Sequence, residues 1–226
     1  MTKSAAPTVD APALTADELL LQAGKTLFAT RGYAAVTTRD IAREAGVNLG
    51  LIQYHFGSKA NLFLAVVRHL MKDCAGNAAV QHLVPAPTSP RTARVAIARF
   101  IRAFLGCLLG RAAPEGCQLM YREALDEGNP PGLRRELVQL VSIEFTRPVL
   151  DRVIEALRPL RPDLPDRALE SVAHSILGQC SYYLSNRPFL EALWRDDLAE
   201  AEVIDRIAQQ VTAFSLGGLG SLKQKP

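Results

Sequence analysis

At 226 residues, with 48% hydrophobic and 22% charged residues, 15 Gly and 14 Pro, the chain is long enough to bury a core and too mixed to be disordered or low-complexity. The most apolar stretch, residues 97–113, is interrupted by Arg99, Arg102 and Arg111, so no segment reaches the roughly 18–20 apolar residues a membrane-spanning helix needs. The net charge of +3 lies wholly in residues 1–72, which hold eight Lys/Arg against five Asp/Glu, while residues 73–226 hold eighteen of each. A basic bias at one end is what a small nucleic-acid-binding head on a neutral body would show.

Residues 1–14 are rich in Ala, Pro and Thr without periodicity and read as a flexible arm. They lack the apolar core of a secretory signal, so a cytoplasmic location is the expectation. Thr15 and Glu18 form a capping box, and Leu20, Ala23, Leu27 and Phe28 follow at helical spacing until Gly32. Thr37 or Thr38 caps a second short helix that buries Ile41, Ala42 and Ala45 and ends at Gly46. Asn48 caps a third over residues 49–56, and Gly57-Ser58 precedes a longer fourth starting near Lys59 with Leu62, Phe63, Val66, Val67 and Leu70 on one face.

The Pro-rich stretch 85–90 is the clearest break in the chain. Helices are expected over residues 91–111 and 115–127, then in a long helix from Asn129-Pro130-Pro131 to Leu157 that Pro148 should kink. A further helix opens near Pro165, with Leu169, Val172, Ala173, Ile176, Leu177, Cys180 and Leu184 forming a stripe. After Arg187-Pro188 the last helix is expected from Asp196 to Leu216, then a Gly-rich basic tail over residues 217–226. No strand-like alternation is visible, so the fold class is all-α: a helix-turn-helix domain over residues 15–60 and a helical bundle over 61–216.

The most informative stretch is TTRDIAREAGVNLGLIQYHFGSK, Thr37 to Lys59. Two short helices around Ala45-Gly46-Val47 match a helix-turn-helix in which Ile41, Ala42, Val47 and Ile52 lock the pair and the second helix is free to enter a major groove. Asn48, Leu49, Gly50 and Leu51 offer polar, small or apolar contacts to base edges, and Gln53 suits adenine. Thr37, Thr38, Arg39, Tyr54, His55 and Lys59 supply donors for phosphates. The free amides at the start of the fourth helix add to these.

The stretch FATRGYAAVTTRDIAREAGVNLGLIQYHFGSKANLF, residues 28–63, resembles the TetR-type transcriptional regulators. Asn48 stands where that family commonly has Ser and Gln53 where it commonly has Tyr, which makes the chain similar to the CecR-type branch; so do MYREALDEGNPPGL and SILGQCSYYLSNRPFLEAL, residues 120–133 and 175–193. The resemblance implies a homodimer joined by the last two long helices of each subunit, a near-palindromic double-stranded DNA operator and a small-molecule effector. It also implies target genes that include the protein's own gene and neighbouring transport genes. On this reading the chain is a repressor that an effector releases from DNA through the fourth helix.

Enzyme chemistry has no visible foothold. Gly24-Lys25-Thr26 lacks the Gly a phosphate-binding loop requires at position 19, where Leu19 stands, and no GxSxG, HExxH or GxGxxG occurs. His55, His69, His82 and His174 make no metal-ligand spacing with one another or with Cys74, Cys107, Cys117 and Cys180, so neither metal nor cofactor is expected. The four thiols read as small buried hydrophobes, with a Cys107–Cys117 thiol switch as the sharper alternative. The residues that would line an effector cavity are Phe104, Cys107, Met120, Tyr121, Phe145, His174, Tyr182 and Tyr183, each of which also reads as plain core. The rivals to a regulator are an enzyme on the regulator fold and an interaction protein whose bundle binds another protein.

Overall fold

The computed structural model describes residues 14–72, 79–111, 119–120, 122–124 and 126–222, all of whose regular structure is helical. All but Leu14 of the expected arm over residues 1–14 and the last four residues of the expected tail lie outside them, as do six of the thirteen residues of the helix expected over 115–127. The chain divides into two compact units, residues 1–66 and 67–226. The head therefore reaches Val66 instead of ending at residue 60, because Leu62, Phe63 and Val66 of the fourth helix are buried in it.

The head begins with α1, Ala16–Ala35, whose start is fixed by the Thr15 amide donating to Glu18 Oε2 at 2.8 Å. It bends at Gly32, whose φ of 77° and ψ of 169° leave the helical region. The other head helices are α2, Thr38–Ala45, α3, Gly50–Phe56, and the first turns of α4, Lys59–Lys72. Phe28, Tyr33 and Phe63 form an aromatic cluster, with Phe28 and Phe63 edge to face at 5.1 Å. Gly24 serves packing: a Cβ there would meet Val66 Cγ2 at 2.9 Å.

The second unit is built around α5, Pro90–Leu109, which the Ser89 hydroxyl caps by accepting from Thr92 N at 3.2 Å. Its stripe of Ala93, Ile97, Phe100, Ile101, Leu105 and Leu108 is buried, each large apolar side chain contributing about 1.5–3 kcal/mol before entropy. Around it pack α7, Arg147–Leu157, α8, Asp166–Ser185, and α10, Ala201–Ser221; α6 is Pro131–Leu140 and α9 is Arg187–Trp194. Cys180 lies fully inside this core, where burial pushes its thiol up to about 12.

Three expectations from the sequence change, all at elements rich in Pro or Gly. The helix around Pro148 is interrupted by a π-helical turn, Val141–Thr146, rather than simply kinked. Pro148 has no amide for the Glu144 carbonyl, and just before it the Arg147 amide bonds the Ser142 carbonyl in the wider register. Glu144 in this turn receives Arg68 of α4 in a bidentate pair at 2.8 Å. Pro188, after which only the last helix was expected, sits in the first turn of a separate helix, α9, where a missing amide costs nothing. The last helix starts at Ala201, not Asp196, and runs through Gly217, Gly218 and Gly220 to Ser221. Arg161 sustains that end by donating to the carbonyls of Leu219 at 2.7 Å and Leu222 at 2.8 Å while Asp163 holds its guanidinium.

Candidate nucleic-acid interface

The head's exposed surface is set by how α2 and α3 are tied. Thr37, not Thr38, caps α2: its amide donates to Asp40 Oδ2 at 3.0 Å and Asp40 N donates back to Thr37 Oγ1 at 3.1 Å. The Thr37 hydroxyl, then the Thr37 amide, hold the Asp40 carboxyl below its ordinary value, with Arg43 and Arg31 adding to the effect. No local pattern in the sequence marks Arg31, near the end of α1; only the fold brings it close to α2. At the other end Gly46 takes φ 66°, and Val47 N bonds the Ala42 carbonyl at 3.0 Å, which closes the turn.

In α3 only Ile52 is buried, joining Ile41 and Ala42 beneath the turn with Val47 half-buried. Leu49, Gly50, Gln53, Tyr54 and His55 are exposed, Tyr54 by 81%, and Leu51 is half-buried. Asn48 is exposed, and its Oδ1 accepts from Gly50 N at 2.8 Å, so the side-chain oxygen caps the start of the helix. Arg39 and Thr37 are exposed and Thr38 is half-buried, all at the start of α2. The Tyr54 and His55 rings stand edge to face at 4.9 Å. His55 also lies near Asp17, whose carboxyl is lowered first by the Thr15 hydroxyl and its own amide and further by His55.

Lys59 differs from its expected role. Its Nζ is turned inward, donating to the carbonyls of Tyr33 at 2.8 Å and Val36 at 2.6 Å and lying 4.0 Å over the Tyr33 ring. The Val36 carbonyl lies past the end of α1 and the Tyr33 carbonyl also accepts from Val36 N at 3.4 Å, so the ammonium completes the pairing of the helix end. Ser58 caps α4 through Asn61 N at 3.0 Å.

In the second unit the expected effector residues differ in burial, and Phe104, Cys107 and Tyr183 pack against the one core cluster. Phe104 and Cys107 are half-buried on α5, with Phe104 stacked on Phe100 at 5.6 Å and the Cys107 thiol raised by burial. Met120 is buried and Phe145 is half-buried in the π-helical turn, while Tyr121 lies outside the described residues, as do Cys74 and Cys117. His174 and Tyr182 point outward from α8, and Tyr183 is half-buried between Tyr182 and Trp194. One polar cluster lies within the stretch MYREALDEGNPPGL, residues 120–133, where sequence pattern alone assigns Arg122, Glu123 and Asn129 no individual role. Glu123, 2% exposed, accepts from Arg122 Nε at 3.0 Å and Asn129 Nδ2 at 2.9 Å, pinning the turn before α6. Among the described residues no group of three or more His, Cys, Asp or Glu side chains is placed to hold a metal ion, and no helix is long and apolar enough to cross a membrane.

A tight glycine turn, a short helix anchored by one residue with its remaining face outward, and flanking polar donors define a helix-turn-helix regulator. Residues 20–66 match the family described as bacterial regulatory proteins, tetR family, and residues 93–219 match the C-terminal domain of the HTH-type transcriptional dual regulator CecR. The chain belongs to the TetR family of transcriptional regulators, with a C-terminal domain of the CecR type. It is 53% identical over 51 residues to the HTH-type transcriptional repressor Rv3405c of Mycobacterium tuberculosis, 23% of this chain and 27% of that one. The match thus spans about a quarter of that relative's length. It is 29% identical over 163 residues to the HTH-type transcriptional regulator BetI of Rhizobium meliloti, covering 70% of this chain and 73% of that one. A TetR-like transcriptional regulator from Rhodococcus sp. RHA1 shares the fold with a TM-score of 0.61 and 21% identity, over 94% of this chain and all of that one.

Proposed function

We propose that the protein is a homodimeric transcriptional repressor that binds a near-palindromic operator through α3 of each subunit and is released by a small-molecule effector. The observation that carries this reading is the outward face of α3, where Leu49, Gly50, Gln53 and Tyr54 are exposed and only Ile52 is buried. Gln53 reads adenine through its amide, Leu49 meets a thymine methyl, and Arg39, Tyr54 and His55 fix the helix on phosphates. Lys59 acts from beneath, holding the end of α1 against the start of α4.

Dimerisation is supported by the charge pattern of α8 and α10. Residues 171–186 and 208–221 contain no Lys, Arg, Asp or Glu, although many of them are exposed. A solvated helix face would carry charge; the centre of a protein interface is depleted of it. Tyr182 and Phe214 stand 53% and 73% exposed over an open groove of about 480 Å³. Gly178, Gly217 and Gly218 have open space where a Cβ would be, which lets a second backbone approach closely. His174, Tyr182 and Tyr183 belong to this face, so the effector reading rests on Phe104, Cys107, Met120, Tyr121 and Phe145. To reverse occupancy, the effector must favour the released form by about 5.5 kcal/mol.

The test is fluorescence anisotropy of the purified protein with the DNA upstream of its own gene against a scrambled duplex at two salt concentrations. Preference for the native DNA that survives near-physiological salt is expected. Equal, salt-sensitive binding to both would remove the operator from the reading, and no binding by a folded dimer would remove DNA.

A further inference from the structure

Helix α9 is amphipathic in the wrong sense for a surface helix. Its charged residues face the body: Arg187 Nε pairs with Glu191 Oε1 at 2.8 Å, Arg187 Nη1 donates to the Leu109 carbonyl at 3.1 Å, and Leu198 N donates to the same Glu191 oxygen at 3.2 Å. With Leu190 buried beneath, this network fixes the helix to the end of α5. Its outward side carries Phe189, 71% exposed, and Leu193, 76% exposed, one turn apart. Single exposed apolar residues are ordinary, but two large ones side by side on a rigid platform form a contact surface.

We propose that this face of α9 is an arm of the subunit interface, covered by a second copy of the same chain. The argument for that occupant is continuity. Trp194, at the end of α9, lies 6.0 Å from the Tyr183 ring, and Tyr183 lines the α8/α10 groove together with Phe214. Ser185 and Asn186, which join α8 to α9, are neutral, and Arg187 turns inward, so no outward charge separates the arm from the uncharged run of α8. One apolar surface thus runs from Phe214 through Tyr183 and Trp194 to Leu193 and Phe189. In a two-fold dimer the same patch serves both subunits, so each arm counts twice.

The proposal rests on the dimer reading above, and two variants of the full chain separate them in sedimentation equilibrium. Phe214→Arg strikes the α8/α10 face, and Phe189→Ser with Leu193→Ser strikes only the arm, at positions exposed in the single subunit and hence neutral to its folding. The expected result is a dimer for the parent chain, monomers for Phe214→Arg, and at least a tenfold weaker dimer for the arm variant with unchanged helical circular dichroism. A Phe189→Leu variant should dimerise like the parent. If Phe214→Arg dissociates while the arm variant keeps the parent's dimer constant within twofold, the arm proposal is overturned and the dimer reading stands; retained dimerisation with lost binding to another protein or to lipid vesicles overturns it equally. A parent chain that stays monomeric at every concentration defeats both.

Discussion

Gln53 and Lys59 lie six positions apart in one motif and are placed for opposite tasks. Gln53 is exposed on α3, so Gln53→Ala should weaken binding to the cognate operator by about 1–3 kcal/mol, relax discrimination at one base pair and leave binding to a scrambled duplex unchanged. Anisotropy on single-base operator variants measures that loss. Lys59 holds two carbonyls and an aromatic face, so Lys59→Met should cost the head about 1.5–3 kcal/mol in thermal melting and leave the salt dependence of DNA binding unchanged. A salt slope reduced by about one would instead make Lys59 a phosphate contact. The motif made both residues visible in the sequence, because spacing shows where a residue falls along the chain. It does not show where a long side chain turns. The inward turn of Lys59 follows from carbonyls lying 23 and 26 residues upstream, a contact no local pattern reports.

Short elements depend on their ends, and the ends of α2 differ in kind. At its start the Thr37–Asp40 box lowers the Asp40 carboxyl, so its contribution is complete above the ordinary carboxylate value of 3.8 and is lost as pH falls through the lowered native value. Thr37→Val should flatten this acid limb of the head's stability curve, read by circular dichroism of both chains across an acid titration. At its end Gly46 has open space where a Cβ would stand, so Gly46→Ala is penalised by φ 66° alone, about 1–2 kcal/mol in denaturant unfolding. The start residues of α1, α2 and α4 and the turn at Gly46 were legible, since caps are local chemistry. The helix α9, the π-helical turn and the extension of α10 through Gly217 were not. Proline and glycine normally end helices, and here Arg161, more than fifty residues away, supplies the carbonyl partners that glycine-rich ends lack.

At the scale of the molecule, periodicity revealed the all-helical class, and the stripe on α8 revealed half of what that helix does. Leu169, Ala173, Ile176 and Cys180 do face the core. From residue 171 onward the opposite face is uncharged and largely exposed, with nothing among the described residues covering it. Because operator affinity in a two-fold complex comes from two heads acting together, Phe214→Arg should also abolish operator binding at concentrations where the parent chain binds, with each head still folded. Anisotropy and circular dichroism on the same sample distinguish that outcome from unfolding.

The environment of Cys180 gives the bundle a chemical clock. A thiol pushed up to about 12 keeps its proton in the folded protein at neutral pH, and only the thiolate attacks alkylating reagents or peroxide. Once the core opens, the group returns towards its ordinary value of 9.0 and reacts. Modification at this one position therefore accumulates in proportion to the time the bundle has spent open, and it persists after the chain has refolded around it or failed to.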